Sequence, residues 1–340
     1  MVTPAAGLYP WLRQLYANFS QQQQWHHATL FRTGKGLGVE QLVVRLVELR
    51  HCSAPIASAA GSKGCGQCQH CLLHLSGTHP DYISIAPLAG KAQISIDQIR
   101  SCNAQLLKKG LLSQYRLVQI ANAHLMTVSA ANALLKMLEE PPQGVHFFLS
   151  TDQPAQLPAT IMSRCSQQTV DTPKAEQTLR WLNRQLEQPI NLAQLHLLDG
   201  SPLQALAMAQ SNAIEPLQHI VEQYAVALAS AGTGTKLAPQ QCLTFIEYLR
   251  QHTSEIEIET VLNLIQRVHR DALKMQLQVT KSTSLGLNAN TCADLVTLPS
   301  TTIMQLDSGI CELKQQLILN NGVNVLLQLQ QVIVNSIKNA

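Results

Sequence analysis

Residues 28–170 alternate short β-type runs with helical stretches, and that alternation limits the possible folds more than any other feature. Ala28-Thr29-Leu30-Phe31, Asp81-Tyr82-Ile83-Ser84-Ile85, Arg116-Leu117-Val118-Gln119-Ile120 and Val145-His146-Phe147-Phe148-Leu149-Ser150 read as strands. Val39 to Arg50 reads as a helix with Leu42, Val43, Leu46, Val47 and Leu49 on its apolar side. Ile96 to Lys109 reads as another, with Ile99, Leu106 and Leu107 inward. The clearest helix is Ser129 to Glu140. Ala131, Leu134, Leu135 and Leu138 recur there at i, i+3, i+4 and i+7, and Pro141-Pro142 stops it. Strands alternating with helices predict a mostly parallel sheet covered on both faces.

After Asp171-Thr172-Pro173 the strand signals nearly vanish. Residues 174–210 read as a few small helices and 213–340 as long amphipathic ones, broken by loop signals at Ala231-Gly232-Thr233-Gly234-Thr235 and Leu285-Gly286-Leu287-Asn288. At roughly 150 residues per domain, 340 residues suit two to three domains. The 46% hydrophobic content excludes wholesale disorder, and with only 4% aromatics the core must be mainly Leu, Val, Ile and Ala. The glutamine run Gln21 to Gln24 reads as helix surface. A net charge of +3 is too small to be a nucleic-acid signature, so any DNA contact must come from a local patch such as Lys108-Lys109 with Arg116. No apolar run reaches about 18 residues, and Met1 to Pro10 lacks the pattern of a secretory signal. A cytoplasmic location is expected.

In a reducing compartment the nine cysteines are better metal or redox candidates than disulfides. Cys65-Gly-Gln-Cys68-Gln-His-Cys71 is Cys-x2-Cys-x2-Cys, a spacing that lets thiolates converge on one ion. Zinc takes four such ligands. Cys52 is the best fourth, with His70 and His74 as rivals. A full set of thiolates leaves no open position, so the expected role is structural. An iron–sulfur cluster has the same ligand chemistry. Cys102, Cys165, Cys242, Cys292 and Cys311 are scattered and read as packed small hydrophobes.

The first strand is followed by Thr33-Gly34-Lys35-Gly36-Leu37-Gly38-Val39-Glu40. A working phosphate loop, G-x-x-x-x-G-K-[ST], uses its Lys on the phosphates and its Ser/Thr on magnesium. Gly34, Gly36 and Gly38 keep the turn, but the Lys position is Val39 and the Ser/Thr position is Glu40. The strand that should carry acidic residues ends instead in Ala121-Asn122-Ala123-His124, and His124 is given no ligand role. Both losses predict a site that neither hydrolyses nor retains ATP. His26-His27 reads as structural or exposed.

A further motif, Ser163-Arg164-Cys165, follows Leu157-Pro158-Ala159-Thr160-Ile161-Met162. With it, residues 7–170 resemble the clamp-loader branch of the AAA+ ATPases. The resemblance is carried by the altered phosphate loop, the cysteine insertion, Gly77-Thr78-His79-Pro80-Asp81-Tyr82 and Ala131-Asn132-Ala133-Leu134-Leu135-Lys136-Met137-Leu138-Glu139-Glu140-Pro141-Pro142. It implies an α/β AAA+ module with a zinc-knuckle insertion over 1–170 (cysteines at about 52–71), a small helical lid domain over 171–210 and an all-α collar over 211–340. Leu203, in Gly200-Ser201-Pro202-Leu203, stands where active relatives carry a sensor arginine.

The resemblance further implies that Arg164, supported by Ser163 and Cys165, reaches in trans into a neighbour's ATP site. A fixed guanidinium there stabilises charge on the transferred phosphoryl group. The implied function is a non-hydrolysing subunit of the clamp loader of bacterial DNA polymerase III. Its partners would be gamma/tau-type ATPase and delta subunits in a five-membered ring, with the sliding clamp and primed DNA reached through the complex at replication forks. The alternatives are a zinc-containing DNA-binding module, a weakly active AAA+ ATPase and a gamma/tau-type motor. The apolar stripe Val261, Leu262, Leu264, Ile265 and Val268 in the C-terminal region, and those holding Leu317, Ile318, Val325, Leu326, Leu327, Val332 and Ile333, would be shared between internal packing and the collar.

Overall fold

A computed structural model describes residues 7–58, 61–198, 201–232, 238–252, 258–280, 283–319 and 324–338. Gly200, Thr233-Gly234-Thr235 and the side chains of Cys242 and Ile318 lie outside the described residues. The chain forms two compact units, the first ending at Lys174 and the second starting at Ala175.

The first unit runs α1 (Arg13–Ser20), β1 (Ala28–Arg32), α2 (Val39–His51), β2 (Ile56–Ser58), β3 (Gly61–Lys63), α3 (Gln69–Leu75), β4 (Tyr82–Ile85), α4 (Ile96–Leu106), β5 (Arg116–Ile120), α5 (Val128–Glu139), β6 (Val145–Thr151), α6 (Ala159–Met162) and β7 (Ser166–Thr169). Five strands form one sheet in the order β4-β5-β6-β1-β7, every pair parallel. This is the parallel sheet flanked by helices that the sequence predicts. Side chains of a strand alternate between faces. Leu30, Val118, Ile120, Phe147 and Leu149 therefore join one core with Ile99 of α4 and Leu134 of α5. Their neighbours Phe31, Leu117 and Phe148 join the other, with Tyr16 of α1 and Leu42 and Leu46 of α2.

One strand escapes the sequence reading and two readings are corrected. The strand β7 has no apolar alternation in Ser166-Gln167-Gln168-Thr169. It forms because an edge strand is held by backbone pairing to β1 on one side only. The helix α4 starts at a capping box, Ser95 with Gln98, and ends at Leu106, so Leu107 lies past the last turn and is exposed rather than inward. The glutamine run lies in the turn after α1, which ends at Ser20.

The second unit is helical: α7 (Ala175–Leu182), α8 (Leu192–Leu197), α9 (Pro202–Gln210), α10 (Ile214–Gly232), α11 (Ala238–His252), α12 (Ile258–Gln276), α13 (Ala289–Val296), α14 (Ser300–Leu319) and α15 (Val325–Lys338). Short and long helices share one apolar core that includes Leu195, Leu217, Phe245, Leu262, Val268 and Ile310. Within it Tyr224 of α10 bonds His269 of α12 (2.5 Å), and His269 meets Asp307 of α14 at 3.4 Å. Burial lowers the His269 pKa, and the bond from His269 lowers that of Asp307. Of the residues expected to be shared between internal packing and the collar, Ile333 is buried in this core, as is nearby Leu329, while Leu327 is exposed. No helix among the described residues is long and apolar enough to cross a membrane.

Before β4, Asp81 is buried and accepts three backbone N–H bonds at 2.8 Å from Leu111, Leu112 and Ser113. Burial pushes its carboxyl up, but these bonds outweigh that and hold the pKa below the usual value. Asp81→Ala orphans those amides and is expected to cost about 2–3 kcal/mol, read by urea unfolding at neutral pH. The difference from wild type should shrink as acid protonates Asp81.

Candidate functional site

The cysteine insertion leaves α2 at its C-terminal end. Cys52 ends that helix, the β2–β3 hairpin follows, and the chain turns through Gly64 to Cys68 before α3 carries Cys71. The four sulfur atoms of Cys52, Cys65, Cys68 and Cys71 lie within 4.8 Å of one another and could hold a metal ion. Cys65 Sγ is 4.0 Å from Cys71 Sγ, and Cys68 Sγ is 3.9 Å from Cys52 Sγ. A Cβ on Gly64 would meet Cys71 Sγ at 3.2 Å, so a residue without a side chain lets the knuckle close. The Cys65 backbone N–H donates to Cys52 Sγ, and those of Gln67 and Cys68 to Cys65 Sγ. The bonds from Gln67 and Cys68 lower the Cys65 pKa. Burial raises Cys68, but backbone donors at Cys71 and Ser53 bring it to about 6. Thiolate, the ligand form, is thereby favoured at Cys65 and Cys68, while burial raises Cys52 and Cys71. Of the other described cysteines, Cys102, Cys165 and Cys292 are buried. Cys311 is exposed, contrary to expectation.

The phosphate-loop segment spans residues 33–38, between β1 and α2. Gly36 and Gly38 have φ of 66° and 74°, left-handed values that favour glycine. Leu37 and Val39 are both buried in the core shared by α1 and α2, and Trp11 Nε1 donates to the Leu37 carbonyl at 2.8 Å. Glu40 faces the sheet instead, its Oε1 accepting from Ser150 Oγ at 3.1 Å. The adjoining cleft of about 360 Å³ is also lined by Asn122, His124 and Asp152. His124 Nδ1 is 3.1 Å from Thr151 Oγ1 and 3.5 Å from Asp152 Oδ1. His124, given no ligand role from its own strand, thus has a carboxylate beside it. The carboxylate comes from the end of β6, a strand distant in sequence.

Arg164 occupies the turn between α6 and β7. The Ser163 N–H donates to Ala159 O and the Arg164 N–H to Ile161 O, which extends the helical path up to the guanidinium's own residue. Ile161 and Cys165 are buried beneath it. Arg164 Nη1 donates to Thr160 O at 2.9 Å and Ser163 Oγ at 3.4 Å. Its Nη2 donates to Glu139 Oε1 at 2.5 Å. Lys108 and Arg116 also come together, Arg116 Nη1 donating to the carbonyls of Lys108 and Gln105.

A sequence model of the family described as "DNA polymerase III, delta subunit" matches residues 10–174. The chain is 33% identical to the DNA polymerase III subunit delta' of Escherichia coli over 326 residues, covering 93% of this chain and 91% of that one. The chain belongs to the delta' family of DNA polymerase III subunits. It is 36% identical to the Haemophilus influenzae delta' subunit, over 64% of this chain and 66% of the relative. A solved gamma subunit-related protein of DNA polymerase III from Thermotoga maritima matches with a TM-score of 0.43 and 17% identity. That alignment covers 96% of this chain and 98% of the other.

Beside the thiols this delta' family member carries a second cluster that only folding assembles. His51, His74 and His79 also place ring nitrogens within 4.8 Å of one another. His51 Nδ1 lies 2.8 Å from His74 Nε2, while His51 Nε2 faces the Tyr115 carbonyl at 3.0 Å. His70 Nδ1 lies 2.9 Å from His79 Nε2, and His79 Nδ1 accepts from Asp81 N–H. His79 stacks on His51 and His74, with centroids 4.2 and 4.3 Å away. His70 and His74, the rival ligands, thus spend nitrogens on other histidines. His51 bonds His74 and His70 bonds His79, so within each pair a ring nitrogen is engaged by the other imidazole. Burial, then the neighbouring histidines, push His74 down to about 3 and also lower His79. A folded pKa below the ordinary 6.5 contributes stability that is present above pH 6.5 and lost as pH falls toward the folded value. The melting temperature should therefore drop between pH 7 and pH 5. His74→Gln should flatten part of that drop in parallel thermal scans.

Proposed function

We propose that this chain is a non-hydrolysing, ring-building subunit of the bacterial clamp loader, helping to place a sliding clamp on primed DNA. Membership of the delta' family makes it a component of the DNA polymerase III assembly. The observation that carries the rest is a phosphate loop occupied by its own side chains. Val39 stands where a lysine would meet the phosphates and is buried in the core. Glu40, bonded to Ser150, stands where a hydroxyl would meet magnesium. A carboxylate there repels a nucleotide phosphate, and the one lysine lining the cleft, Lys35, sits in the exposed turn rather than at the start of α2. ATP is accordingly not expected to bind at Gly34, Gly36 and Gly38, and a weakly active ATPase is the less supported reading. The net charge of +3 likewise gives little support to a stand-alone DNA-binding module.

Arg164 is then the chain's contribution to chemistry. In trans, its guanidinium would donate to oxygens of the γ-phosphoryl group of ATP held by a gamma/tau-type neighbour, offsetting charge that builds during transfer. Ser163 bonds it, and the buried Cys165 anchors the turn. Residues 171–210 would serve as the lid and 211–340 as the collar that joins gamma/tau-type and delta subunits in a five-membered ring. The location is cytoplasmic, at replication forks on the nucleoid. In a loader reconstituted with its ATP-hydrolysing partners, clamp and primed DNA, Arg164→Ala should lower ATP turnover by about a thousandfold while the ring still assembles. The chain alone should show none. Normal turnover by the mutant complex would remove the trans role, and turnover by the chain alone would remove the inactive-site reading.

The metal we assign to Cys52, Cys65, Cys68 and Cys71 is structural zinc. Zn–S bonds of about 2.3 Å in a tetrahedron place sulfurs about 3.8 Å apart, near the 4.0 and 3.9 Å separations here. The four thiolates would hold the hairpin and α3 against the end of α2. Elemental analysis should find one zinc per chain, and Cys65→Ser with Cys68→Ser should abolish it and lower the melting temperature. An iron signal with visible absorbance would point to a cluster instead.

A further inference from the structure

Glu139 is the last residue of α5 and stands where a carboxylate is least welcome. A helix C-terminus carries partial negative charge, which disfavours an acid. Glu140 follows it, and Pro141-Pro142 bars the helix from continuing. The carboxylate is nonetheless engaged, on Arg164, twenty-five residues further along the chain. We propose that Glu139 is a positioning residue for Arg164, holding the guanidinium in the orientation it presents to a phosphate of the neighbouring subunit. The proposal rests on the trans role of Arg164.

The geometry has three parts. Arg164 Nη1 is tied to Thr160 O and Ser163 Oγ, which fixes one side of the planar fork to its own turn. Nη2 is tied to Glu139 Oε1, which fixes its rotation about the remaining axis from a different helix. These bonds use three of the five N–H donors of a guanidinium. Nε–H and the second N–H of Nη2 have no partner within the described residues, so two donors remain for an oxygen from outside. The pair is also half-open to water, the side chains being 33% and 48% exposed. An exposed pair of this kind is weak and adds little to folding. Its use is therefore better sought in orientation than in stability. Without Glu139 the guanidinium retains its charge and reach, but its fork can turn, and small misplacements of a catalytic group lower rate more than affinity.

The test is a double-mutant cycle in the reconstituted loader, using the full chain, its ATP-hydrolysing partners, clamp and primed DNA. Glu139→Ala should lower kcat for ATP by about tenfold with KM unchanged. Glu139→Gln, whose amide oxygen still accepts from Nη2, should recover most of that loss. The melting temperature of the isolated Glu139→Ala chain should not fall, since the substitution removes an acid from a helix C-terminus. Glu139→Ala added to Arg164→Ala should lower turnover no further than Arg164→Ala alone. Wild-type or faster turnover by Glu139→Ala, with Arg164→Ala still defective, would overturn positioning and leave the trans role intact. A further fall in the double mutant would show that Glu139 acts elsewhere, and would equally overturn the proposal. Normal turnover by Arg164→Ala would overturn the trans role itself, and Glu139's assignment with it.

Discussion

The parallel pairing of β1 with β6 is the constraint on which the first unit depends. These strands occupy the middle of the sheet, so both of their faces must be covered. Leu30 beside Leu149 faces one core, and Phe31 with Phe148 faces the other. The two groups of candidate site residues hang from the ends and edges of this pair. The phosphate-loop segment leaves β1. Ser150 and Thr151 end β6, and Asp152 follows it. Arg164 enters β7, which pairs with β1. A shift of one residue in the β1–β6 register would exchange the two cores and carry every one of these residues with it.

Within that frame the phosphate loop and Arg164 have opposite characters. The loop keeps its left-handed glycines but turns Leu37 and Val39 inward, so apolar burial takes the place that charge would occupy in a nucleotide site. Arg164 is held outward on a turn whose underside, Ile161 and Cys165, is packed. The apolar residues of the loop join the core, while Arg164 stays partly open to water and bonded to Glu139.

Much of this was legible in the residues. Short apolar β-type runs located four of the five sheet strands and the 3.6-residue period located α2 and α5, because strands buried on both faces are continuously apolar and a one-sided helix is not. The cysteine spacing was equally legible, since ligands on one tight turn must be close in sequence. What was missed has a common physical origin. The strand β7 is defined by a partner's backbone, not by its own side chains. His124 with Asp152, and Arg164 with Glu139, join residues from different elements, and nothing local in either partner marks the other. The histidine array draws His51, His70, His74 and His79 from α2, α3 and the loop before β4.

The sequence by itself determined the alternating α/β plan, the loss of the phosphate-binding lysine and hydroxyl, the Cys-x2-Cys-x2-Cys knuckle and the presence of Arg164. These are properties of residue type and local spacing. Tertiary structure decided that Cys52 completes the thiol cluster, that Glu40 turns onto Ser150, and that Glu139 meets Arg164. The reason is that hydrogen bonds and ion pairs act over about 3 Å in space, whatever the separation along the chain, and only the packed sheet sets those distances.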